Sequence, residues 1–222
     1  MIKAWVEDIL TLTDEDWSRY AFYRDPFVVR IKPDQQLTYT HEAMNCGTNQ
    51  ARRLRTKYGD VAPQELVKQM GLHLNIQNGQ SSDGYLMFAY FEEPASITLF
   101  LDNADATDVL IDELGVRESL GDVKTSDLLL AHELYHYLEQ SQPDIYTAQK
   151  HITLWKVGPF ENRSRILCLE EIGAMAFAKE LVGLRCSAYL FNVLMLYPKN
   201  PQRARELYEN IMAFKVKKEV LP

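Results

Sequence analysis

The 222-residue chain is 46% hydrophobic and 25% charged, the balance of a soluble globular protein long enough to bury a real core in one domain. Its formal net charge of −7, with no long run of Lys or Arg, speaks against a phosphate backbone as partner, so direct nucleic-acid binding is not expected. Three widely spaced cysteines, Cys46, Cys168 and Cys186, with no Cys-x-x-Cys pair, argue against a disulfide framework and for a reducing, cytoplasmic setting.

In chain order, the N-terminal stretch MIKAWVEDILTLTDEDW lacks a basic start followed by a long apolar run, so it does not read as a signal peptide. Thr13-Asp14-Glu15-Asp16 predicts a helix start, and Phe27 to Ile31, between Pro26 and Pro33, predicts a short strand. Asn45 to Asn49, with Gly47 inside it, reads as a loop. Helices are expected at about 48–58, ending at Gly59, and from Pro63 to Gly71. The basic run Arg52 to Lys57 reads as a solvated helix face.

Leu72 to Ile76 alternates as a strand does. Tyr85 to Phe91 and Ser96 to Leu101 predict a hairpin. Residues 102–121 are acidic and irregular, with a helix around 105–114. Thr125 or Ser126 is expected to cap a helix running to Gln140, with Pro143 marking its end. Further helices are expected over 163–184, 186–197 and 201–218. No apolar stretch is long enough for a membrane span, since Ser187 to Tyr197 contains Asn192 and stops at Pro198. The order gives an α+β fold, mostly helical, with a small antiparallel sheet.

One run carries chemistry: His132-Glu133-Leu134-Tyr135-His136. On a helix, positions four apart share a face, so both imidazoles can reach one metal ion, and imidazole nitrogen is a good zinc ligand. Glu133 is turned by about 100° from its neighbour, which lets it act as general base on a water beside the metal without ligating it. Two of the chain's five histidines lie in this run, on a helix expected to be apolar and capped, as the chemistry requires. Catalytic zinc takes a third protein ligand and keeps one position open. Glu170 and Glu171, in an otherwise apolar helix, compete for that role with His151. The metzincin pattern is disfavoured, because Glu139 stands where its glycine would be. Tyr135, Tyr137, Tyr146 and His151 are candidate stabilisers of a developing oxyanion, with Tyr146 and His151 ahead. His41 and His73 read as structural or surface residues.

With these motifs the chain resembles the ImmA/IrrE family of zinc-dependent metallopeptidases. Leu129-Leu130-Ala131-His132-Glu133-Leu134-Tyr135-His136 is similar to its active-site helix, and Glu171-Ile172-Gly173-Ala174-Met175-Ala176-Phe177-Ala178-Lys179-Glu180-Leu181 to its later helix. Ala51 to Ile76 is similar to its entry region. The resemblance spans about residues 50–183. It implies a zincin-like domain over 49–184; the segments outside it are expected to be an N-terminal extension over 1–48 and C-terminal helices over 185–222 packed on the same domain. It further implies Zn2+ held by His132, His136 and Glu171, with Glu170 as fallback, and Glu133 as base. The hairpin strand Ser96, Ile97, Thr98, Leu99 would be the edge that holds a peptide. The implied activity is peptide-bond hydrolysis in a cytoplasmic protein, with a separate helix-turn-helix repressor among the implied substrates. The alternative is a metal-binding regulatory or sensor protein of the same fold with little or no proteolysis. The sequence does not fix the oligomeric state.

Overall fold

A computed structural model describes residues 1–78 and 86–216. The expected mostly helical α+β arrangement is the one the chain adopts. Helix α1 (Ile2–Ile9) buries Ile2, Trp5, Val6 and Ile9, the i, i+3, i+4, i+7 stripe of an amphipathic helix. Helix α2 (Asp14–Tyr23) starts where Thr13 predicts. The Thr13 N–H donates to Asp16 Oδ2 at 2.7 Å and the Asp16 N–H donates back to Thr13 Oγ1 at 3.3 Å.

The strand expected at Phe27 to Ile31 is instead a 3-10 turn over Val28–Arg30. The Asp25 carboxylate decides this: it accepts from the Phe27 N–H at 2.8 Å and, across the molecule, from the Cys168 N–H at 3.1 Å, which closes the turn onto the core.

Helix α3 (Pro33–Tyr58) runs through both the expected loop at 45–49 and position 48, so one continuous helix joins the first 48 residues to the segment that follows. Helix α4 (Pro63–Gln69) leads into strand β1 (His73–Gln77). The hairpin is β2 (Ala89–Glu92) and β3 (Ser96–Phe100); the part of the expected first strand at Tyr85 lies outside the described residues. The three strands are ordered β1-β3-β2. The sheet is mixed, because β1 pairs parallel to β3 while β2 pairs antiparallel. Ile97, Thr98, Leu99 and Phe100 of β3 are all buried, as a strand covered on both faces and paired on both sides requires. The expectation that Ser96 to Leu99 form an open edge is therefore corrected: β3 is central, and the edges are β1 and β2.

Helix α5 (Leu101–Leu114) contains the helix expected around 105–114 and starts four residues before it, and α6 (Arg117–Leu120) occupies part of the stretch expected to be irregular. Helix α7 (Thr125–Ser141) carries the motif. Its first turn is capped from a distance: the Thr125 N–H and hydroxyl both donate to Asp108 Oδ1, at 3.1 and 2.8 Å, so neither Thr125 nor Ser126 serves as the cap. After the single turn α8 (Tyr146–Gln149) comes a second hairpin, β4 (His151–Val157) and β5 (Phe160–Arg165). This pair occupies the start of the helix expected at 163. Helix α9 begins at Cys168 and ends at Val182, where Gly183 supplies a left-handed residue.

Helices α10 (Tyr189–Leu196) and α11 (Pro201–Met212) follow. The expected extension of the last helix to 218 reaches beyond the described residues, and α11 stops at Met212. Residues from α1, α2, α10 and α11 join those of α7 and α9 in one hydrophobic core. Among the described residues no helix is long and apolar enough to cross a membrane.

Candidate metal centre

Helix α7 buries Leu128, Leu130, Ala131, Leu134, Tyr135 and Leu138. That anchors it against its neighbours and fixes the direction of the remaining face. His132 and His136 point from this face toward α9, with side chains only 16% and 15% exposed. Their Nε2 atoms stand 3.0 Å apart. Glu171 on α9 completes the group, with Oε2 at 3.6 Å from His132 Nε2 and Oε1 at 3.8 Å from His136 Nε2. One ligand atom from each of the three lies within 4.8 Å of the others, so this cluster could hold a metal ion. Two ligand atoms about 2.0–2.1 Å from a tetrahedral zinc would stand about 3.3 Å apart. The observed separations bracket that value. Two imidazoles and a carboxylate are donors that suit a divalent metal ion.

Glu170 takes a different place from the one weighed for it as fallback ligand. Its Oε1 lies 2.9 Å from Nδ1 of His136, the ring nitrogen away from the cluster. A carboxylate can only accept here, so Nδ1 carries the proton and Nε2 is left to face the ion. Glu170 is in turn 3.6 Å from Arg165 at the end of β5, which also holds the buried Glu139 at 3.0 Å. The hydrogen bond to His136 holds the Glu170 carboxyl below the usual carboxylate range, while burial pushes Glu139 up.

Burial works to lower the His136 pKa, but the Glu170 hydrogen bond and the charges of Glu133, Glu171 and Glu170 outweigh it and raise it to about 9 in the metal-free protein. Its value in an unfolded chain is about 6.5. A raised folded pKa contributes stability that is fully present below about pH 6.5 and lost as pH rises through about 9, up to about 3 kcal/mol. The melting temperature of the chelator-treated protein should therefore fall across that window. If the cluster takes a metal ion, the gap to the metal-loaded protein should widen over the same window, because the ion takes the neutral ring. A flat profile for the chelator-treated form would remove this account of His136.

Glu133 is 8% exposed, and its Oε2 accepts from the Phe91 N–H at 2.8 Å. The Phe100 N–H donates to the Phe88 carbonyl and Tyr90 stands opposite Thr98. The intervening Ala89 and Phe91 thus turn their backbone groups to the outer edge of β2, toward α7.

Tyr146 and His151 are not brought to this cluster. The Tyr146 hydroxyl donates to Glu42, and exposed His151 uses Nδ1 on the Gln149 carbonyl while lining a surface depression with Arg30 and Tyr39. His151 is likewise absent from the ligand cluster. Tyr135 is buried, with its hydroxyl 2.8 Å from that of Thr147, and Tyr137 packs edge-on against Phe91. Sequence proximity misled here, because both side chains are engaged elsewhere, Tyr146 with Glu42 and His151 with the Gln149 carbonyl.

The cluster opens into a cleft of about 790 Å3. His132, Glu133 and Glu171 form one end, and Leu86 to Ala89 one rim. Tyr20, Tyr23 and Arg24 reach it from the N-terminal segment, and residues of α10 and α11 from the C-terminal one. Arg24 makes no ion pair with an acidic side chain among the described residues, and its guanidinium donates to the Tyr20 hydroxyl. Nothing in the sequence around residue 24 signals this position, since only the packing of α2 against α9 brings it to the site. Compared with known proteins, the chain matches no family model, no curated protein and no solved structure.

Proposed function

We propose that the chain is a zinc-dependent metallopeptidase in which His132, His136 and Glu171 hold the metal and Glu133 is the general base. The observation that carries this reading is the convergence of two Nε2 atoms and one carboxylate from separate helices, with a second carboxylate, Glu133, beside them at the head of an open cleft. When bound there, zinc supplies a Lewis acid that polarises a carbonyl and lowers the pKa of water toward neutrality. Glu133 accepts the proton of the attacking water and returns it to the departing amine. The Phe91 N–H fixes one of its carboxylate oxygens for that exchange. An extended peptide adds to the outer edge of β2, where the backbone groups of Ala89 face the cleft. Arg24 is the cation available to a developing oxyanion.

The test is metal content by elemental analysis together with cleavage of peptide pools followed by mass spectrometry. Zinc near one equivalent and metal-dependent cleavage support the reading. A zinc-loaded protein that cleaves no peptide would favour a sensor that keeps the site. Arg24→Ala should lower kcat by roughly 10- to 1,000-fold with zinc content unchanged. Arg24 is exposed, so the variant should fold, and an unchanged kcat would exclude this role.

A further inference from the structure

We propose, resting on the metallopeptidase reading above, that α10 and α11 build a side-chain pocket that selects peptides bearing a large aliphatic or aromatic residue beside the scissile bond. The cleft beyond the three ligands is walled by Leu128 of α7, Met175 of α9, Phe191 and Met195 of α10, and Leu207 of α11. Neither α10 nor α11 contributes a charged residue to it; the charged groups of the cleft are Glu133 and Glu171 at the metal end and Arg24.

Phe191 and Met195 are 1% and 7% exposed and form the fixed backing of the wall, while half-buried Met175 and Leu207 are the side chains a ligand meets first. About 790 Å3 is more than one side chain needs and falls within the range of enclosed small-ligand sites, about 300–1,000 Å3. A residue together with its flanking backbone fits. A half-buried methionine, Met175, at the surface of the wall adapts to different shapes, which suits leucine, methionine and phenylalanine alike rather than one of them. A charged side chain, acidic or basic, would lose water against these apolar side chains, and the only polar groups α10 and α11 bring to the cleft, Asn192 and Asn210, are neutral; Arg24 reaches it from the N-terminal segment and is assigned above to the oxyanion. Burying a leucine or phenylalanine side chain in such a wall strengthens binding by about 10- to 100-fold over glycine.

The probes are N-acylated amino-acid hydroxamates of glycine, glutamate, lysine, leucine and phenylalanine, titrated calorimetrically into the zinc-loaded protein. Each carries the same metal-binding group and differs only in the side chain. The leucine and phenylalanine probes should bind about 10- to 100-fold more tightly than the glycine one, and the charged probes no more tightly than glycine. In Leu207→Glu, at a half-buried position, the leucine-to-glycine ratio should fall toward one while the glycine probe keeps its affinity. The wild-type series decides the matter even if that variant fails to fold. Equal binding of all five probes overturns the apolar pocket and leaves the metallopeptidase reading standing. Failure of every probe, glycine included, to bind a protein that carries zinc overturns the open metal site and this inference with it.

Discussion

Glu133→Gln is expected to lower kcat for peptide hydrolysis by about 100- to 10,000-fold while zinc stays bound at wild-type stoichiometry. The magnitude is that of removing a positioned general base. Glutamine keeps the length of the side chain, and its amide oxygen can still accept the Phe91 N–H now donated to Glu133 Oε2 at 2.8 Å. The contact between α7 and the edge of β2 therefore survives, and so does the direction of the helix. The ligand atoms on His132, His136 and Glu171 are untouched. What is lost is a proton acceptor, because a neutral amide cannot take the proton of the attacking water. Quenched-fluorescent peptide cleavage and elemental analysis of the same sample separate the outcomes. Full activity in the variant would place the base elsewhere. Loss of zinc along with activity would mean that Glu133 helps hold the cluster, and the division of roles among the four residues would have to be redrawn.

What the sequence made legible at this site was local. His132, Glu133 and His136 sit within one turn of one helix, and helix geometry alone relates them. The choice between Glu170 and Glu171 was not legible, because adjacent residues point about 100° apart and only the packing of α9 against α7 decides which one converges. The answer uses both: Glu171 faces the Nε2 atoms and Glu170 the far side of the His136 ring. The central place of β3 was hidden for a related reason. Its partner β1 runs parallel and reaches it through a long connection, so no turn residue announces the pairing. The β4–β5 hairpin was missed because Phe160 to Arg165 is exposed and polar, without the apolar alternation that marks a half-buried strand. Arg24 and the walls from α10 and α11 come from opposite ends of the chain, where no local pattern could connect them to residue 132.

Gly47 was misleading in the most consequential way. A glycine amid Asn45, Cys46, Thr48 and Asn49 suggests a turn, yet it lies in the middle of α3 with ordinary helical backbone. Its purpose is close approach. A Cβ at this position would overlap the Gly173 carbonyl oxygen and stand 2.9 Å from the Phe177 backbone nitrogen, both in α9. Neither atom belongs to a flexible side chain, so the only relief is to move the helices apart. Gly47→Ala should therefore destabilise the protein by about 4 kcal/mol, or a drop of roughly 10 °C in melting temperature for a chain of this size. Helix propensity alone predicts the opposite sign, a gain of about 1 kcal/mol, so the direction of the change is diagnostic. Asn45→Ala, at an exposed position of the same helix, is the control and should leave the melting temperature unchanged or slightly raised. Because α9 also carries Glu170 and Glu171, the shift that relieves the overlap moves the third ligand and the carboxylate that orients His136. Zinc affinity should fall together with stability in Gly47→Ala, and a calorimetric zinc titration of the folded variant measures it. A variant that melts higher than wild type would show that α3 and α9 do not meet backbone to backbone at Gly47, and the crossing that sets the position of Glu171 would have to lie elsewhere along the pair.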